Sequence, residues 1–195
     1  MTGLGEYDDR AEQAAAYRAR QTRDALARWE ALIPFDLRDQ GTLHPDVAEW
    51  AAQLAAGEYP GNLTLYGVIG AGKTWQAMHA ITAAIGTGFT GTIQFIKPEA
   101  WKDAIGPPSD RAALQRMGRC GVLILDDLGE KRLGEYDLEK LYDIADPRCG
   151  WHRPIVITTN AEDVRGLLGE RVASRMKKHG RLVHIPGGDR RRGEQ

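Results

Sequence analysis

The stretch from Asn62 to Thr74 constrains the fold of this chain more than any other. Residues 62–66 alternate polar and apolar side chains, which is typical of a strand, and an alanine-rich segment typical of a helix follows Thr74. Between them, Gly67 to Thr74 matches G-x-x-x-x-G-K-[ST] without a mismatch. Its glycines let the backbone turn tightly and aim N–H groups at a polyphosphate, which also lies at the positive end of the following helix. The stretch therefore predicts a strand, a phosphate-binding loop and a helix.

This motif predicts which residues contact a nucleoside triphosphate. Lys73 is expected to reach the β- and γ-phosphates, and Thr74 to place its hydroxyl on Mg²⁺. The predicted nucleotide contacts are Gly67, Gly70, Ala71, Gly72, Lys73, Thr74 and Trp75. An incidental glycine-rich loop is the alternative, but the flanking strand and helix are what phosphate binding requires.

Length, charge and cysteine content limit the class of protein. A chain of 195 residues holds one domain with a full core and an appendage. Because the formal net charge is −1, attraction to nucleic acid must come from a local patch. Cys120 and Cys149 lack C-x-x-C spacing, so we expect reduced, packed thiols and no zinc site. No apolar run approaches the ~20 residues that span a bilayer, and the N-terminus lacks a signal-peptide pattern. We therefore expect a soluble, cytoplasmic protein without membrane contact.

A long helix is predicted from Asp9 to Ile33, because no Gly or Pro interrupts this run and Pro34 ends it. Its seam of side chains, spaced by four and three residues, is Ala15, Ala19, Thr22, Leu26, Trp29 and Ile33. Arginines lie off the seam. Three interpretations stay open: packing on the chain's own domain, recognition of a partner protein, or contact with DNA. We assign residues 1–44 to a helical extension and residues 45–195 to the domain that carries the loop.

The second chemical landmark is the segment from Gly121 to Gly129, Gly-Val-Leu-Ile-Leu-Asp-Asp-Leu-Gly. Its four consecutive apolar residues predict a strand buried on both faces, as in a parallel sheet covered by helices. Two carboxylates follow at the carboxyl end of the strand, where open α/β sheets bind ligands. Asp126 is predicted to hold Mg²⁺ through water, and Asp127 to orient or deprotonate the attacking water. An acidic turn is the alternative, which the presence of both motifs in one chain disfavours.

The remaining elements complete an alternating α/β pattern. Strands are predicted at 62–66, 92–96, 122–125, 154–160 and 181–185, and further helices at 47–56, 73–85, from Pro98, and at 110–117, 135–144 and 169–176, with a frayed tail at 189–195. Asn160 ends a buried strand, where its amide is placed to sense the γ-phosphate or its water. An Asn at a strand end is also a common turn former.

Four motifs in this order resemble the DnaC/IstB-type AAA+ ATPases, which are helicase loaders of bacteria and phages and helper ATPases of certain transposons. The motifs are Gly70–Thr74, Leu123–Gly129, Thr158–Asn160 and Gly169–Met176, and the resemblance covers roughly residues 45–186. It implies an α/β, AAA+ P-loop NTPase core with a five-stranded parallel sheet. It also implies a ring or spiral of subunits in which a neighbour completes each active site.

The resemblance also implies roles for individual residues. Asn160 would be the sensor, and Arg175 the arginine finger that reaches the γ-phosphate of the next subunit, with Arg171 as a supporting or alternative candidate. The predicted catalytic set is therefore Lys73, Asp127, Asn160, Arg175 and Arg171. A salt bridge on its own surface is the alternative role for either arginine. A finger supplied in trans is typically worth about 10³–10⁵ in rate, so a lone subunit should hydrolyse ATP slowly.

Three departures from the family pattern qualify the resemblance. After Arg175 the chain continues only to residue 195, so we expect no helical lid. Asp127 stands where AAA+ proteins at large carry Glu, and its shorter arm suits slow hydrolysis. No cysteine-rich zinc module precedes the domain, so the N-terminal helix is the expected contact for a replicative helicase. The short chain and its N-terminal extension favour a phage or mobile-element origin.

Single-stranded DNA is the second partner that the resemblance implies. The stretch 97–119 combines basic residues with an aromatic, which suits phosphate neutralisation and base stacking: Lys97, Trp101, Lys102, Arg111, Arg116 and Arg119. A solvated charged face explains the same residues. The functional hypotheses are an ATP-dependent helicase loader, an IstB-like transposition helper that binds duplex DNA, and a nucleotide-gated adaptor with little hydrolysis.

Overall fold

Five short segments form one parallel sheet. In the computed structural model, which describes residues 4–129 and 132–187 but not the side chains of residues 4–9, the strands are β1 (Leu63–Tyr66), β2 (Ile93–Ile96), β3 (Val122–Leu125), β4 (Ile155–Thr159) and β5 (Arg181–His184). Their order is β2-β3-β4-β1-β5, with every neighbouring pair parallel. This confirms the predicted α/β fold with a five-stranded parallel sheet.

Helices cover both faces of the sheet. The described part of the chain forms α1 (Leu4–Glu30), α2 (Pro45–Ala55), α3 (Lys73–Gly86), α4 (Pro98–Ile105), α5 (Arg111–Arg119), α6 (Glu135–Gly150) and α7 (Val164–Lys177). None of these helices is long and apolar enough to cross a membrane. Because successive strand residues face opposite sides, Val122 and Ile124 pack with α1, α2 and α3, whereas Leu123 and Leu125 pack with α4 to α7.

The N-terminal helix is anchored at its C-terminal end, whereas the side chains from Arg10 to Gln21 are exposed. It begins at Leu4 and ends at Glu30, so the predicted bounds 9–33 were wrong at both ends. The Trp29 indole is 3% exposed and donates at 3.2 Å to the Met78 carbonyl and at 3.2 Å to the Thr82 hydroxyl. In contrast, every side chain from Arg10 to Gln21 is exposed. The predicted seam therefore packs on the chain's own domain only near Trp29.

The segment between α1 and α2 packs against α3. It contains a 3-10 turn at Phe35–Leu37. Side chains of α3 donate hydrogen bonds to backbone carbonyls of the segment. The Trp75 indole donates to the Asp39 carbonyl at 3.3 Å, and the Gln76 amide donates to the Thr42 carbonyl at 3.0 Å. The extension is thereby tied to the domain, while the division at residue 44 stays a prediction.

Two further helices, α6 and α7, extend well beyond their predicted bounds. The sequence suggested that α6 ends at Ile144, but it runs through Pro147 to Gly150. The sequence suggested that α7 begins at Gly169, but it begins at Val164, where the Asp163 carboxylate caps it by accepting from the Gly166 N–H at 2.8 Å. Gly169 lies inside α7 with φ 66° and ψ 162°, which kinks the helix. The predicted tail at 189–195 falls outside the described residues.

Candidate active site

The phosphate-binding loop joins the end of β1 to the start of α3, as its glycines predict. Gly67 has φ 147°, and a Cβ there would lie 2.5 Å from the carbonyl oxygen of Ile185, so the loop passes too close to β5 for any side chain. Gly72 caps α3 in the left-handed conformation, with φ 92°. Lys73 and Thr74 then begin a 14-residue helix, and the N-terminus of such a helix favours an anion at the loop. The backbone geometry is that of an anion-binding site.

Lys73 links this loop to the end of β4. Its side chain is buried, and its ammonium donates to the carbonyls of Gly67 at 3.0 Å and Val68 at 2.8 Å and to the Asn160 amide oxygen at 2.6 Å. Burial lowers the pKa of Lys73, and the carboxylates of Asp127 and Asp126 oppose this shift. Lys73 and Asn160, which are separated by a large part of the sequence, thus belong to one constellation.

The two residues predicted to bind the metal are in direct contact. The Thr74 hydroxyl donates to Asp126 Oδ1 at 2.9 Å, and Asp126 is 6% exposed. Burial raises the pKa of Asp126, whereas the hydrogen bond from Thr158 opposes that shift. Hydroxyl and carboxylate oxygens are the protein ligands that Mg²⁺ takes beside substrate phosphates, so these residues fit the ion. Thr74 and Asp126 would hold Mg²⁺, which would neutralise charge on the phosphates.

Thr158 is a member of the site to which the sequence assigned no role. Its hydroxyl donates to Asp126 Oδ1 at 2.6 Å and accepts from the Asp127 N–H at 2.8 Å. Asp127 has φ 45°, a conformation that an Asp tolerates better than most residues. Thr158 therefore orients one carboxylate and fixes the backbone of the next. The signal available in the sequence was a hydroxyl residue in a buried strand that ends beside the phosphate loop.

Arg171 and Arg175 lie apart from this constellation, on the side of α7 that faces α6. Arg175 donates to the carboxylate of Asp146 and, at 3.2 Å, to the hydroxyl of Tyr142. Arg171 stacks on the ring of Tyr142, with its guanidinium carbon 3.9 Å from the ring centroid. The hydrogen bond from Arg175 lowers the pKa of Asp146. Within one chain, the described contacts of these arginines do not include the phosphate loop.

Two aromatic residues singled out from the sequence point into the protein. Trp75 is 4% exposed and its ring stacks on His79 with centroids 4.2 Å apart, so a contact from Trp75 to phosphate would have to use its backbone N–H. Trp101 is 2% exposed in the core beneath α4. The expected base stacking by Trp101 is therefore wrong, because its ring is covered. Arg111, Arg116 and Arg119 remain exposed on α5.

The geometry agrees with what a comparison of sequences finds. The family model described as IstB-like ATP binding protein matches residues 6–184, which is most of the chain. The chain belongs to this family. This match confirms the resemblance drawn from the motifs and the expectation that the chain belongs to an ATP-binding family. No curated protein matches the sequence of this family member.

Solved structures show the same fold in proteins of DNA replication. The crystal structure of the DnaC helicase loader is 24% identical, with a TM-score of 0.61, and the match covers 77% of this IstB-like chain and 96% of that chain. The crystal structure of DnaI is 20% identical, with a TM-score of 0.63, covering 82% and 94%. The replication initiator DnaA bound to AMPPCP and single-stranded DNA is 17% identical, with a TM-score of 0.62, covering 76% and 48%. These likenesses concern the fold.

Proposed function

We propose that the protein is an ATP-dependent helicase loader that assembles through ATP, binds a replicative helicase and delivers it onto single-stranded DNA. The observation that carries the proposal is that α1 is packed on the domain at one end and exposed over residues 10–21. In its last turn the Trp29 side chain is buried against α3, whereas the side chains from Arg10 to Gln21 are all exposed. A helix held at one end and free at the other is suited to binding another protein.

The proposed chemistry is hydrolysis of ATP in the presence of Mg²⁺. Lys73 would bind the β- and γ-phosphates, and Asn160, in contact with its ammonium, would report on the γ-phosphate. Asp127 would orient or deprotonate the attacking water from a backbone fixed by Thr158. Arg175, and with it Arg171, would act on the γ-phosphate of the next subunit. The protein would therefore act as a homo-oligomer, a ring or spiral in which ATP joins the subunits.

A truncation tests the loader proposal. Removing residues 1–21 deletes the exposed half of α1 and spares Trp29 and Ile33, which belong to the core. We expect the truncated protein to bind ATP like the full chain but to lose binding to a candidate replicative helicase, measured by co-purification and by interferometry. Substitution of Arg18 and Arg20 by Ala provides a milder variant, since both are exposed on this half. Helicase binding that survives the truncation would contradict the proposal.

A second candidate is a transposition helper that binds duplex DNA, because the matching family model carries the IstB description. The exposed arginines of α5 would then contact the backbone of a duplex. Titration of duplex and single-stranded DNA at one stated salt concentration separates the candidates, because phosphate-driven affinity depends strongly on ionic strength. A loader should prefer single strands, and a transposition helper should prefer duplex.

A further inference from the structure

Two pairs of residues face each other across the contact between α6 and α7. Tyr142 and Asp146 lie one turn apart on α6, and Arg171 and Arg175 lie one turn apart on α7. Nε of Arg175 donates to Asp146 Oδ1, and its Nη2 donates to the Tyr142 hydroxyl at 3.2 Å. The guanidinium carbons of Arg171 and Arg175 lie 3.9 Å and 5.6 Å from the centroid of the Tyr142 ring. One aromatic ring therefore contacts both arginines.

We propose that Tyr142 and Asp146 are positioning residues that orient Arg175 and Arg171 toward the γ-phosphate held by a neighbouring subunit. The inference rests on the proposed function, in particular on the action of Arg175 in trans. It names the residues on which that action depends.

The contacts of Arg175 orient its guanidinium and leave part of it available to bind a phosphate. A guanidinium carries five N–H donors in a planar fork. Asp146 and Tyr142 take one edge of that fork, Nε and one N–H of Nη2. Nη1 has no partner within the described residues. The edge that remains has the two-donor geometry that binds a phosphate oxygen pair.

The contact made by Arg171 is of the same kind. Stacking on Tyr142 engages the face of its guanidinium and leaves the N–H groups in the plane to bind an anion. Arg171 is exposed, and the side chains of Arg175 and Asp146 are 36% and 43% exposed, so another subunit can reach them. Holding two long side chains before a neighbour arrives reduces the rotamer freedom that they lose in the transition state.

Substitutions on α6 test the proposal in the full-length protein with ATP, Mg²⁺ and single-stranded DNA. We expect Asp146→Asn and Tyr142→Leu each to lower kcat about 10- to 100-fold, because misplacing a catalytic group costs about that much. The half-saturating ATP concentration should stay unchanged, because the phosphate-binding residues are untouched. Asp146→Glu keeps an acceptor for Arg175 and should recover part of the rate.

Asp143→Asn is the matched control. Asp143 is an exposed carboxylate on the same helix and pairs with Lys140 at 3.6 Å, so the substitution removes the same charge and an ion pair without touching Arg175. We expect wild-type kcat. A loss equal to that of Asp146→Asn would mean that any charge change on α6 impairs the protein, and would overturn the proposal.

Mixing variants separates positioning from a folding defect. An Asp127→Asn subunit has an inactive site of its own but still offers Arg175 to its neighbour. Asp146→Asn subunits mixed with Asp127→Asn subunits should regain hydrolysis, because an intact arginine then faces an intact site. Asp146→Asn mixed with Arg175→Ala should regain none, because both lack the same function.

The outcomes distinguish failure of the positioning role from failure of the proposed function. Loss of activity in Arg175→Ala together with wild-type rates in Asp146→Asn and Tyr142→Leu would overturn the positioning role alone. A missing recovery in the mixture with Asp127→Asn would overturn it too, since the defect would then lie in the variant's own site or fold. A wild-type rate in Arg175→Ala would instead contradict the trans arginine of the proposed function, and the inference with it.

Discussion

At the scale of single residues, the proposed chemistry depends on Thr158. Its hydroxyl is the common partner of the Asp126 carboxylate, at 2.6 Å, and of the Asp127 backbone N–H, at 2.8 Å. A non-glycine residue with positive φ costs of order 1–3 kcal/mol and persists only where its surroundings fix it. The bond to Thr158 is one such constraint on Asp127, whose φ is 45°.

Thr158→Val should therefore reduce catalysis more than nucleotide binding. The substitution keeps the shape of the side chain, removes the hydroxyl and leaves the partly buried Asp127 N–H without this acceptor. We expect kcat for ATP hydrolysis to fall about 10- to 100-fold, as for other residues that orient a metal ligand. The free energy of unfolding in urea should fall by about 1–3 kcal/mol. Steady-state turnover and ATP titration of the same preparation measure the two effects separately.

Thr158→Ser is the control, because it retains the hydroxyl and loses only a methyl group. It should keep most of the turnover that Thr158→Val loses. If both variants fall equally, the methyl group and its packing matter, and the hydroxyl does not have the role assigned to it.

At the scale of helices and strands, hydrophobic patterning predicted the elements but not all of their ends. The strands follow from short apolar or alternating runs bounded by turn residues, and their parallel arrangement follows from the intervening helices. The end of α6 could not be predicted from the pattern. Pro147 is normally a signal that a helix stops, but the helix continues to Gly150, and Arg148 in the same turn is held by carbonyls from other parts of the fold. Likewise, the sequence placed Lys73 and Asn160 at the same γ-phosphate, but it did not predict the direct contact between them, because that contact joins residues far apart in the chain.

Arg148 holds the ends of several elements together. Its guanidinium is fully buried and donates to four backbone carbonyls, those of Met117 at 2.6 Å, Cys120 at 2.9 Å, Gly121 at 3.2 Å and Pro154 at 2.8 Å. Burial lowers its pKa. These bonds tie α6 to the end of α5 and to the starts of β3 and β4. The carbonyls replace the water that the two terminal nitrogens of the guanidinium lose on burial.

Arg148→Met should destabilise the fold strongly. Met fills a similar volume but removes the hydrogen bonds that Arg148 donates to these carbonyls, and we expect the free energy of unfolding in urea to drop by about 3 kcal/mol or more. Arg153→Met is the comparison, because the Arg153 guanidinium has one weaker bond, to the Gly118 carbonyl at 3.3 Å, and is partly exposed. It should cost less than about 1 kcal/mol. Equal losses would contradict the role given to Arg148.

The kink in α7 depends on Gly169. Its φ of 66° and ψ of 162° lie in a region open almost only to glycine, whereas a Cβ there would meet nothing closer than the Leu138 side chain at 3.5 Å. Gly169→Ala should thus cost about 1–3 kcal/mol of unfolding free energy through the backbone, and it should lower turnover by shifting Arg171 and Arg175. Gly150→Ala, in a helical turn with open space around it, should be neutral or slightly stabilising in the same denaturation assay.

At the scale of the whole molecule, the proposed active site is divided between copies. Lys73, Thr74, Asp126, Asp127, Thr158 and Asn160 converge at one end of the sheet. The contacts of Arg175 are with Tyr142 and Asp146 through its side chain, and with Asn62 and Cys149 through its carbonyl. Under the proposed function, an isolated subunit would hold the nucleotide-binding half of a site and would offer its arginines to a neighbour.

Hydrolysis per subunit should therefore rise with protein concentration. An arginine supplied in trans is worth about 10³–10⁵ in rate. At concentrations too low for assembly, turnover per subunit should therefore be negligible beside that of the assembled protein. Turnover at saturating ATP and Mg²⁺, measured over a dilution series beside sedimentation velocity, should follow the fraction of assembled subunits. Arg175→Ala should assemble without the rise in rate, because its phosphate-binding loop is intact. A per-subunit rate that stays constant down to concentrations where only monomers sediment would mean that each chain holds a complete site, and Arg175 would then have no part in the neighbour's chemistry.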